Sequence, residues 1–146
     1  MKARRLLKNP TVETVARANN IMNTLATDFD YLPAVLWMAE FSENGVKNPE
    51  QAAMWYKKAA DLGSANGASK IADILMDGRG VTRNLKLAME YYKIAADNGI
   101  ASASFALGEY YAKTGNREEA VKAYEKAVKG GYKDAEKKLA KLKKKF

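Results

Sequence analysis

The side chains that could do chemistry in this 146-residue sequence are carboxylates, lysines and aromatic rings, because histidine and cysteine are both absent. Without them there is no imidazole base near neutral pH, no thiolate nucleophile and no thiolate metal ligand. Catalytic triads, zinc hydrolases, most redox sites and disulfides drop out together. What remains is limited. Asp73 and Asp77 stand one helical turn apart, and Glu109 follows Asp73 by 36 residues. Acids so placed could chelate a hard cation. Three of them on two helices, without a glycine-bearing calcium loop, read instead as a polar face, and neither metal nor cofactor is expected. Gly78-Arg79-Gly80 could cradle a phosphate, but the Lys-Ser/Thr ending is missing and no strand precedes it, so it reads as a loop between helices. Trp55, Tyr56, Tyr91, Tyr92 and Tyr124 could stack on bases or sugars. Their regular recurrence suits core positions better.

Charge gives a further hint of chemistry until it is located. The net charge is +8. The first ten residues contribute +4 through Lys2, Arg4, Arg5 and Lys8, and residues 129–146 contribute +6 from eight lysines against Asp134 and Glu136. The body between them is therefore slightly acidic, at −2. Basic ends of this kind are usually solvated, and nucleic acid is at most a non-specific partner that salt would displace. The final KKLAKLKKKF reads as a capping helix with Ala135, Leu139, Leu142 and Phe146 on one face.

These residues need elements to position them, and the sequence repeats. Residues 52–68 (AAMWYKKAADLGSANGA) match 88–104 (AMEYYKIAADNGIASAS) at a shift of 36. Tyr92, Ala95, Gly99 and Ala103 recur at a shift of 32 as Tyr124, Ala127, Gly131 and Ala135. Asn48-Pro49 supplies an N-cap and a first-turn proline. Ala52, Trp55, Tyr56, Ala59 and Ala60 then have the spacing of one apolar helix face. Gly63 suits the left-handed position after a helix, and Asn84 and Gly99 take the same two roles one unit on. Each unit is thus a helical hairpin whose alanines permit close approach and whose aromatic pairs fill the gaps. One hairpin cannot bury such a face alone, so the hairpins stack.

The Gly-x-Gly-Val loop at 78–81, Ala88, the Tyr91-Tyr92-x-x-Ala95-Ala96 helix and the following Gly99-x-Ala101-x-Ala103 resemble the Sel-like repeat family, a branch of the tetratricopeptide superfamily. Leu107-Gly108, Tyr111, Gly115, Ala120, Tyr124 and Ala127 are similar to a plain tetratricopeptide repeat, with Tyr132 at the position of its proline. The resemblance implies an all-α, right-handed superhelical array of about three hairpins, at 33–64, 65–100 and 101–131 within a repeat region of 33–135. Residues 1–32 are then a basic N-terminus with a flanking helix, read as a decayed half repeat, and 132–146 a lysine-rich cap.

It also implies a non-catalytic scaffold or adaptor that binds a partner peptide or protein surface in a concave groove. The alternative is binding of nucleic acid or another anionic surface through the basic ends. Transferring the family's groove positions selects Val35 and Ala39 in the first unit. Asn66, Ser69, Lys70, Asp73, Met76 and Asp77 follow in the second, then Ser102, Phe105, Ala106, Glu109 and Lys113 in the third. A ligand with an apolar anchor, set by Phe105 and Met76, and with neutral or basic flanks would fit them. The family's basic clamp for C-terminal carboxylates is absent. A monomer is expected. No apolar run reaches the 18 residues of a membrane span, and Leu6-Leu7 is cut short by Lys8 and Asn9, too soon for a secretory signal. The sequence reads as soluble, with the cytoplasm favoured; a mature exported protein would look the same.

Overall fold

The computed structural model describes residues 11–144. The basic residues read from the first ten positions, and Phe146, lie outside that span. Among the described residues there are eight α-helices and no strand. They are α1 (Val12–Asp28), α2 (Leu32–Glu40), α3 (Pro49–Asp61), α4 (Ala65–Asp77), α5 (Leu85–Asp97), α6 (Ala101–Lys113), α7 (Arg117–Lys129) and α8 (Asp134–Lys144). Each packs on its neighbours in sequence, and together they form a right-handed superhelical array.

Local chemistry sets the helix ends. The Oδ1 atoms of Asn48 and Asn84 accept the third N–H of α3 and α5, from Gln51 at 3.1 Å and Leu87 at 3.0 Å. Ser64 Oγ does the same for Gly67 at 2.9 Å. Thr11 and Thr14 form a reciprocal capping box at the start of α1. Gly63 and Gly99 adopt the left-handed conformation beyond α3 and α5, as the repeat pattern requires. Gly80, also at positive φ, answers a further constraint. A Cβ there would lie 2.5 Å from the Pro49 carbonyl carbon, so the 78–81 loop rests directly on the start of α3. That loop is a joint between repeats, with no strand before it.

The core alternates small and large. Ala18, Ala26, Ala34, Ala59, Ala88, Ala95, Ala120 and Ala127 are fully buried, and the aromatic side chains Trp55, Tyr56, Tyr91, Tyr92 and Tyr124 are buried beside them. Most of this forms one cluster running from α1 to α7. A smaller one gathers Tyr124, Ala127 and Ala135 with half-buried Phe105, Tyr132, Leu139 and Leu142, which seats α8 on α6 and α7.

The first unit departs from its expected register. Val35 and Ala39 are completely buried, so neither lines a groove. The buried set Ala34, Val35, Met38, Ala39 matches Gly67, Ala68, Ile71, Ala72 and then Ala103, Ser104, Leu107, Gly108. Leu36 and Glu40 therefore take the places of Ser69 and Asp73. The cause is local. α2 is apolar on nearly every side, so periodicity cannot choose its buried face, and it runs on into a π-helical turn at Phe41–Gly45 instead of a standard loop. Stacked rings of Trp37 and Phe41, 5.1 Å apart, support that turn.

Gly99 has φ of +90° and open space around its missing Cβ, so a side chain there meets backbone strain but no steric clash. Gly99→Val should lower unfolding stability by about 1–3 kcal/mol in urea titration. Gly99→Asn should cost clearly less, since asparagine tolerates positive φ.

Candidate functional site

The first helices of the hairpins (α2, α4 and α6) and α8 share one face, and two clefts open along it. The first, of about 390 Å³, lies across α2, α4 and α6. It is lined by Leu36, Glu40, Tyr56, Asn66, Ser69, Lys70, Asp73, Ile100 and Ser102. The second, of about 300 Å³, lies between α6 and α8. Glu109, Ala112, Lys113, Tyr124, Lys138, Lys141 and Leu142 line it. Of the residues selected from sequence, the structure thus gathers Asn66, Ser69, Lys70, Asp73 and Ser102 in one cleft, and Glu109 and Lys113 in the other.

Met76, Asp77 and Phe105 line neither cleft. Met76 is half-buried against the main core. Asp77 is exposed and pairs with Arg79 Nε at 3.4 Å. The Phe105 ring packs at 4.7 Å from Tyr132 and 5.8 Å from Tyr124, within the C-terminal cluster. Phe105 and Met76 therefore do not form the shared apolar pair expected of them, because Tyr132 draws Phe105 toward α8.

A repeated tie runs behind this face. The Tyr92 hydroxyl donates to Asp73 Oδ1, and the Tyr124 hydroxyl donates to Glu109 Oε1 at 2.7 Å. In the first unit Glu43, which the π turn brings into reach, and Glu40 act on the Tyr56 hydroxyl. Asp73 and Glu109 are thereby held from the core side by phenols at the same repeat position. Burial, reinforced by the adjacent carboxylates, pushes the Tyr56 hydroxyl up to about 12. Burial first, then the bond to the acid, raises Tyr92 and Tyr124 as well. Arg79 opposes the acids beside Tyr56 and Tyr92, and its guanidinium lies 3.9 Å from Glu43 across the joint between units.

Sequence reasoning missed Leu36 and Glu40 through the register shift. It missed Lys138 and Lys141 because α8 was read only as a cap. In the structure α8 occupies the place of a further first helix, and Lys138 Nζ stands 3.6 Å from Glu109. The common period of tyrosine and acid was visible in the second and third units, where Asp73–Tyr92 and Glu109–Tyr124 are 19 and 15 residues apart. The unequal loop lengths hid the pairing.

The Sel1 repeat model matches residues 33–64 and 65–100, and a tetratricopeptide repeat model matches 101–129. The chain belongs to the Sel1-like and tetratricopeptide repeat superfamily. A Sel1 repeat protein from Oxalobacter formigenes has a similar structure, with a TM-score of 0.72 and 26% identity over 94% of this chain and 57% of that one. A protective antigen of uropathogenic Escherichia coli displaying an SLR fold has a TM-score of 0.77 at 25% identity, over 86% of this chain and 28% of that one. This Sel1-like chain therefore spans little more than half of the first and under a third of the second. Repeats of this superfamily generally mediate protein–protein interaction and are typically non-catalytic scaffolds. No helix among the described residues is long and apolar enough to cross a membrane.

Two expectations follow from this geometry. The folded state keeps its buried phenols protonated, whereas an unfolded tyrosine ionises near 10. The stability they contribute is complete below pH 10 and is lost as pH rises toward the folded value, which for Tyr56 is about 12. Melting temperature should therefore fall between pH 10 and 12 at constant ionic strength, and Tyr92→Phe should flatten that fall while costing about 1–2 kcal/mol at neutral pH. Phe105→Ala should lower stability by about 2 kcal/mol in the same urea titration, because the ring packs against Tyr132 and Tyr124.

Proposed function

We propose that this repeat protein is an interaction scaffold that takes a segment of a partner protein along the face of α2, α4, α6 and α8. The observation that supports this most is the 390 Å³ cleft across three successive hairpins. Its lining combines apolar Leu36 and Ile100 with hydrogen-bonding Asn66, Ser69 and Ser102 and the charges of Glu40, Lys70 and Asp73. Apolar surface with a few convergent polar groups suits a peptide, whose side chains need burial and whose main chain needs partners. Leu36 and Ile100, rather than Phe105 and Met76, are the apolar surface an anchoring side chain would meet. The tyrosine ties beneath keep the wall rigid, which lowers the ordering cost of binding.

With Trp55, Tyr56, Tyr91, Tyr92 and Tyr124 buried, that stripe offers no stacking platform for bases. The carboxylates Glu40 and Asp73 further weigh against a phosphate backbone in the cleft.

Ser69→Trp tests the reading directly, since Ser69 is half-exposed in the cleft and an indole would fill it. Helical signal and melting should change little, while affinity for a peptide or partner that binds the native chain should fall at least tenfold. Equal binding by the two proteins would move the interface off this face.

A further inference from the structure

The two clefts carry opposite charge. In the first, Glu40 and Asp73 outnumber Lys70. In the second, Lys113, Lys138 and Lys141 outnumber Glu109. One of those lysines is partly neutralised, because Lys138 lies 3.6 Å from Glu109 Oε1. That oxygen also accepts from Tyr124, so Glu109 is engaged from two sides and little of its charge is left for a ligand. Lys113 and Lys141 are exposed and take part in no ion pair among the described residues. At the other end Glu40 is exposed and likewise outside any such pair, and Asp73 is oriented by Tyr92. The face thus runs from acidic at α2 and α4 to basic at α6 and α8.

From this gradient we infer that the groove reads direction: it accepts an extended partner segment whose lysine or arginine side chains lie over Glu40 and Asp73 and whose aspartate or glutamate side chains lie over Lys113 and Lys141. The inference rests on the groove reading above and adds the partner's charge order. Reversing the segment would place like charges together at both ends, which costs affinity and slows encounter. The spacing follows from helix packing. Taking successive first helices as about 10 Å apart, the acidic pair on α2 and α4 (Glu40, Asp73) and the basic pair on α6 and α8 (Lys113, Lys141) are two such steps apart, or about 20 Å. An extended chain advances about 3.3 Å per residue, so the basic and acidic positions should be about six residues apart. An extended main chain also matches the short donors and acceptors of Asn66, Ser69 and Ser102 in the first cleft. A helix would need about thirteen residues for the same span.

The test uses a random peptide library displayed on phage, selected in parallel against the full chain and against Glu40→Lys, Lys141→Glu and Ser69→Trp, each checked for folding by circular dichroism. The expected binders carry basic and acidic positions about six residues apart in one fixed order, and they are lost on Ser69→Trp. Glu40→Lys should abolish the enrichment of basic residues alone, and Lys141→Glu that of acidic residues alone, each by at least fivefold. Binders that are lost on Ser69→Trp but show no charge order, or a separation near thirteen, would overturn the inference and leave the groove reading intact. Binders indifferent to Ser69→Trp, or no binders above display background, would overturn both.

Discussion

A phenol buried among alanines must find a partner for its hydroxyl, and in this array the partner is a carboxylate on the preceding helix. The contact joins two requirements that are usually separate. The ring of Tyr92 or Tyr124 fills the space left where alanines let helices approach closely, and its hydroxyl anchors Asp73 or Glu109 at the edge of the open face. Core packing and surface chemistry therefore share one side chain per unit. A change to that tyrosine alters the wall and what the wall presents.

The first unit shows how the same need is met when the local sequence differs. Among the described residues Glu40, at the register of Asp73, takes no tyrosine hydroxyl; the π turn after α2 instead carries Glu43 toward Tyr56. Glu40 stays exposed and available. Arg79 then spans the joint between Glu43 and Asp77, so the loop that sequence pattern could liken to a phosphate cradle becomes an electrostatic clasp between repeats. Such exposed pairs contribute little energy individually. Their value here is orientation of neighbouring units.

The lysine-rich last helix has two roles that net charge cannot separate. Its apolar stripe of Ala135, Leu139 and Leu142 completes the smaller core cluster. Its Lys138 and Lys141 extend the open face and reverse its sign at that end. A helix read only as a solvated cap thus also shapes the electrostatics of the groove.

The sequence alone was enough to establish the repeat, the helical hairpins, their caps at Asn48, Asn84, Gly63 and Gly99, and the aromatic core, because these depend on local spacing and backbone preference. It also marked Asn66, Ser69, Lys70, Asp73, Ser102, Glu109 and Lys113 as groove candidates, and these line the two clefts. Only the tertiary structure decided the rest. Val35 and Ala39 are core and Leu36 and Glu40 line the face, because a helix apolar on all sides has no periodicity to read and its buried side is chosen by its neighbours. Phe105 belongs to the C-terminal cluster because Tyr132, 27 residues later, packs on it. Lys138 and Lys141 enter the groove because α8 stacks beside α6. Each of these outcomes depends on contacts between units, and no pattern confined to one unit can carry them.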